Sequence, residues 1–288
     1  MSKFNELASS ISSKVRNSLS IGYGSSISTI AEETFLSGIR EKRFYLSLLY
    51  FTVFPILIFL VQNAGLIVQK GTGIALYQAQ IQTASLINIF YASFFLGQVL
   101  IVILSADAIA GEIEQDTLSL LRSKPVYDSE IILGKFIGLL AIIFLLESPA
   151  FLLIYFFLLV RYEAGSIEVY LGTIDEIIAV LILVLLMQGI IVAMSLMFST
   201  LFSKTLYSIL SSMLVLFILS QISGILSNTS NYVSFQWLVN ATLPEIFYNI
   251  EPIDANLPSL GAFILGFSGI ISGLLVLAIT ILRNRELN

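Results

Sequence analysis

Residues Ile177–Thr200 read IIAVLILVLLMQGIIVAMSLMFST and contain no charged side chain. As a helix, a run of this length crosses the ~30 Å hydrocarbon core of a bilayer. A helix in a soluble core is shorter and keeps a polar face. Comparable apolar runs recur at Phe44–Val68, Ala84–Ser105, Ile131–Val160, Leu206–Leu226 and Leu260–Leu282. The alternating pattern of a membrane-spanning β-barrel is absent from all of them. The whole chain agrees: 57% of its 288 residues are hydrophobic and 11% are charged. A soluble domain carries about 25% charged residues. The mean hydropathy of +0.95 follows from the same imbalance. The expected fold is an all-α integral membrane protein with six transmembrane helices.

Cysteine and histidine are both absent. Disulfides, Cys/His metal sites, thiol nucleophiles and Ser-His pairs are therefore excluded. No catalytic residue and no metal ligand set is expected. The net charge of −5 is spread along the chain and points to no nucleic-acid partner.

Residues 1–43 form a leader without the continuous apolar core of a signal peptide. Phe4, Leu7, Ile11, Val15 and Leu19 recur at helical spacing, and Gly22-Tyr23-Gly24 interrupts them. Residues 1–22 read either as that helix or as a solvated tail that orders in part. A second amphipathic stretch carries Ile27, Ile30, Phe35 and Ile39 on one side, with Glu32, Glu33, Arg40 and Lys42 elsewhere. It is expected to lie in the membrane interface before the first span.

With the N-terminus inside, twelve of the fourteen basic residues fall on one side, leaving Lys70 and Arg161 opposite. That asymmetry places both ends in the cytoplasm of a cell membrane and requires an even number of crossings. Residues 44–288 form the six-span domain. Its largest outer loop, 227–258, is rich in Asn and aromatic residues and holds glycosylation sequons at Asn228 and Asn240. The third span is long and carries Lys135 and Glu147, so it starts in the cytosol.

Between spans 2 and 3 lies Ser105–Lys135, SADAIAGEIEQDTLSLLRSKPVYDSEIILGK. Ala108–Ser123 is expected to form a short amphipathic helix, with Ile109, Ile113, Leu120 and Leu121 on one side and Glu112, Gln115 and Ser119 on another. Pro125 stops it. Asp128-Ser129 restarts the backbone as an N-cap pair for span 3. A rigid cytoplasmic helix tied at both ends to spans suits the transfer of a push from a soluble partner.

This stretch resembles the cytoplasmic signature of type-2 permeases of ATP-binding-cassette (ABC) transporters. The family pattern is matched at Glu112 and Glu114, Thr117-Leu118, Leu120-Leu121, Pro125-Val126 and Gly134-Lys135. It is not matched at Ile113 and Asp128, where a basic residue is usual, nor at Asp116, where Gly is common. The basic, aromatic run Arg40–Tyr45 is similar to the helix that leads into the family's first span.

The resemblance implies a permease subunit of an exporter. It pairs with a second six-span subunit, as a homo- or heterodimer, and is driven by soluble ABC ATPase subunits. The ATP and Mg belong to those ATPases; no cofactor is expected in this chain, which lacks a phosphate-binding loop. Glu112, Glu114, Thr117, Leu121, Pro125 and Lys135 are the implied ATPase-coupling residues. The two glutamates also read as groups that solvate an interfacial helix or pair with Arg122 and Lys124.

Glu147, deep in span 3, is the intramembrane polar residue. An ionised carboxylate there costs about 2.5–3.5 kcal/mol. It either lines a subunit interface or substrate cavity, or is a protonated carboxyl bonded to a neighbouring helix beside a kink at Pro149. Gly189, Gly266, Gly269 and Gly273 are expected at helix contacts.

Three other readings compete. A secondary transporter is expected to have broken helices and several midplane charges. A membrane-embedded enzyme lacks its histidines or its aspartyl pair. An accessory or structural polytopic protein has no sequence feature against it.

Overall fold

The computed structural model describes residues 23–64, 97–118, 126–161, 174–226 and 260–285. They form seven helices: α1 (Tyr23–Arg40), α2 (Lys42–Ala64), α3 (Gly97–Glu114), α4 (Asp128–Arg161), α5 (Ile174–Leu201), α6 (Thr205–Leu226) and α7 (Leu260–Asn284). There is no strand among the described residues. Stretches of α4 (Asp128–Pro149), α5 (Val184–Leu201) and α7 (Ile264–Asn284) are long and apolar enough to cross a membrane. The amphipathic stretch of the leader is α1. Residues 1–22, Ala84–Leu96, 227–258 and the sequons lie outside the described residues.

The helices pack around α4 and α5. Ile132, Leu139, Ile143 and Leu146 of α4 meet Val192 and Leu196 of α5, Val102 and Ile109 of α3 and Leu275 of α7 in one buried cluster. The outer surface is apolar as well, with Leu46, Leu49 and Leu57 of α2 and Leu206, Leu210, Leu214 and Phe217 of α6 exposed. Such a surface suits lipid. There the association of helices rests on close packing rather than on escape from water.

Close packing is most evident where α1 crosses α4. A Cβ on Gly134 would lie 2.7 Å from Ile30 Cβ and 3.0 Å from the Ile27 carbonyl oxygen. On Gly138 it would lie 2.7 Å from the Ala31 carbonyl oxygen and 2.8 Å from Thr34 Cβ. These two glycines, four residues apart on α4, make the groove that seats α1. Of the glycines expected at helix contacts, Gly189 faces α7: a Cβ there would lie 3.2 Å from Ile271 Cδ1. A Cβ on Gly266, Gly269 or Gly273 would meet nothing within 4 Å, so among the described residues these three make no contact surface.

Candidate functional site

The direction of the helices assembles a polar cluster at one end of the bundle. α2, α4 and α6 begin there, and α3, α5 and α7 end there, as the bonds below require. Asp107 on α3 accepts from Arg43 Nη1 on α2 at 2.9 Å and from the Thr205 hydroxyl on α6 at 2.9 Å. Both of its carboxylate oxygens are thereby occupied. Gly111, one turn further along α3, has no Cβ that would strike Asp107 Oδ1. Glu41, between α1 and α2, lies 4.0 Å from Arg43. Burial pushes its carboxyl above the usual carboxylate range; Arg43 opposes the shift and Asp107 adds to it.

Lys135 is the second joint. Its side chain is 6% exposed, and Nζ donates to Glu112 Oε1 and to the Ala108 carbonyl, each at 2.6 Å. The pair fastens the start of α4 to the end of α3. Glu114 Oε2 accepts from the backbone N–H of Thr205 at 3.1 Å, a carboxylate at the positive end of α6.

The third joint enters the backbone of α3 itself. Ser199 of α5 is fully buried, and its Oγ accepts from the N–H groups of Ile109 (3.0 Å) and Ala110 (2.7 Å). The same hydroxyl donates to the Ala106 carbonyl at 2.7 Å. One side chain thus inserts into the helical i→i−4 ladder, a known way to bend a helix. Beside it, Arg285 closes the C-terminal end of α5 by donating to the Thr200 and Phe202 carbonyls and to Ser203 Oγ.

The helix expected over Ala108–Ser123 is not a single element. Its first half is the end of α3, and the break falls at Gln115–Asp116, where Asp116 adopts φ 57°. The N–H of Asp116 reaches the Ile113 carbonyl at 3.1 Å, and the Glu112 carbonyl accepts from the Thr117 hydroxyl, also at 3.1 Å. This is a left-handed C-terminal cap, with a side chain doing what a backbone N–H does in the Schellman motif. The start of α4 also differs from expectation. Tyr127, not Asp128-Ser129, is the N-cap: its carbonyl accepts from Ile131 N–H, and its own N–H donates to Glu130 Oε2 at 3.0 Å. The arrangement is half of a capping box, and it leaves Asp128 in an acidic first turn that suits the helix dipole.

Of the six expected coupling residues, Glu112, Glu114, Thr117 and Lys135 meet at this end of the bundle. Each bonds within the chain; the pairing of Glu112 is with Lys135. Leu121 and Pro125, with Arg122 and Lys124, lie outside the described residues. Glu147 is buried on α4 and accepts from Gln188 Nε2 of α5. Sequence reasoning missed Arg43, Asp107, Ser199, Thr205, Gln188 and Arg285 as site residues. Gln188 carried a signal, being a lone carboxamide in an apolar run.

A model of the family described as ABC-2 family transporter protein matches residues 28–281. The chain belongs to that family. The match takes in all of α2–α6 and most of α1 and α7, so the polar cluster, Arg285 apart, is part of an ABC-2 transporter domain and the protein is a membrane component of an ABC transporter. No curated protein matches the chain.

Proposed function

We propose that this ABC-2 family chain is the permease subunit of an exporter. In this reading α2–α7 make six crossings, the polar end faces the cytoplasm, and two such subunits form the path. Soluble ATPase subunits supply ATP and Mg and dock at the polar end. The observation that carries the reading is the capped end of α3. It is bonded to α2 through Arg43, to α4 through Lys135, to α5 through Ser199 and to α6 through Thr205. A displacement applied just beyond Asp116 is passed to all four. Glu112, Glu114 and Lys135 then act as joints inside the permease. Exposed groups at this end that an ATPase can meet include Gln115, Asp116, Thr117 and Tyr127.

The test separates docking from transmission. The chain is purified from its own membranes in mild detergent, and co-purifying ATP hydrolysis is measured. A Gln115→Arg, Tyr127→Arg double variant is expected to lose the ATPase. Lys135→Met is expected to keep the ATPase but lose the response of hydrolysis to reconstitution in lipid. Absence of any ATPase from the unaltered chain, even after crosslinking, overturns the reading in favour of an accessory membrane protein.

A further inference from the structure

Glu147 and Gln188 are each 1% exposed and sit opposite one another on α4 and α5. Gln188 Nε2 donates to Glu147 Oε1. Two oxygens remain without a donor among the described residues, Glu147 Oε2 and Gln188 Oε1, and both are buried. An ionised carboxylate accepts only, and an amide oxygen accepts only. With Glu147 ionised the pair therefore has two buried acceptors and no donor for either among the described residues. Buried polar groups are ordinarily satisfied, and an exception calls for an explanation. Glu32, Glu33 and Arg40 on α1, Lys42 and Arg43 on α2, Asp107, Glu112 and Glu114 on α3 and Arg283 on α7 belong to helices packed against α4. None of them forms an ion pair with Glu147: Oε1 is met by Gln188, and Oε2 has no partner among the described residues.

We infer that Glu147 and Gln188 form a proton-binding site, in which a proton on Glu147 Oε2 is donated to Gln188 Oε1. Adding that proton turns one orphan into a donor and satisfies the other. The acid and the amide then face each other through two hydrogen bonds, and the pair is neutral. The proton comes from water and returns to it: the O–H bond forms on uptake and breaks on release, with no other bond changed. Release requires water at Oε2, which requires α4 and α5 to part at this level. A conformational step that separates them is thus also a step at which a proton can leave. The site belongs to this chain alone and holds whether or not an ATPase partner exists.

Infrared spectroscopy of the purified chain in lipid vesicles, in heavy water at mildly alkaline pH, tests this. Exposed carboxyls are ionised under those conditions. The unaltered chain is expected to show the carbonyl stretch of a protonated carboxylic acid, and Glu147→Gln is expected to remove it. Gln188→Leu is expected to keep that band but move it to higher frequency, as for an acid with no acceptor. Should Glu147→Gln fail to fold, carboxyl-13C glutamate in the unaltered chain replaces it: the band must shift on labelling. Carboxylate bands only, an acid band that survives Glu147→Gln, or one that does not shift on labelling overturns the proton site. An acid band indifferent to Gln188→Leu overturns the pairing.

Discussion

Lys135 and Glu147 stand on the same helix, about 18 Å apart, and α4 treats the two charges differently. At Lys135 a charge is met with its opposite: the ammonium bonds the partly exposed Glu112 carboxylate and a helix carbonyl. At Glu147 the partner is a carboxamide, with no cation among the described residues. Where the bundle meets its polar surroundings, ion pairs serve as joints. Deep within it a carboxyl is kept only beside a neutral partner, because two ions there would both lose their solvation.

That contrast predicts unequal costs. Lys135→Met leaves Glu112 without its cation while one of its oxygens is already buried and unpaired. Breaking a buried pair costs about 3–5 kcal/mol, and since the Glu112 side chain is 35% exposed, roughly 2 kcal/mol is expected. Thermal unfolding in detergent reads it, and adding Glu112→Gln should recover part of the loss. Gly138→Leu drives a side chain into the backbone of α1, and overpacking of this kind costs about 1–3 kcal/mol. The check is faster protease cleavage within Tyr23–Arg40. Ser199→Ala removes the acceptor of two α3 amides, a loss of about 1–2 kcal/mol. Faster hydrogen exchange at Ile109 and Ala110 would locate it, and Ser199→Thr should restore protection.

Asp116→Gly relieves a left-handed residue and is expected to raise stability by up to about 1 kcal/mol, read as a higher unfolding temperature. Glu147→Gln is expected to be the smallest change, with no resolvable shift by the same measurement. An amide can reproduce both bonds of the neutral acid. A large loss there would erase the contrast with Lys135.

The parts legible in the sequence were those governed by length and apolarity. Every apolar run that falls on described residues lies on a helix, because hydrocarbon leaves a backbone few other ways to satisfy its polar groups. The end of α3 was not legible. Gln115 and Asp116 carry no Gly or Pro to announce a stop, and the cap depends on an αL aspartate together with a threonine hydroxyl. The departure from the family pattern at Asp116 did mark the place, since glycine is the residue that adopts this conformation at least cost. Ser199 resembles every other serine in an apolar run until the neighbouring helix is in position. The family motif marks Gly134 and not its partner Gly138, although the spacing of four is visible. Its meaning lay in α1, which the pattern of α4 alone does not contain.

Fastening six helices at the polar end, as the bonds among the described residues do, has a mechanical consequence. Bodies joined at one end move as the ribs of a fan, and displacement grows with distance from the joint. A 28-residue helix such as α5 is about 42 Å long, so a turn of about 5° about the polar end carries its far tip ~4 Å. The same turn moves Glu147, about 18 Å beyond Lys135, by less than half as much. A turn about the polar end therefore displaces the far tips of the helices more than it displaces the acid and the amide.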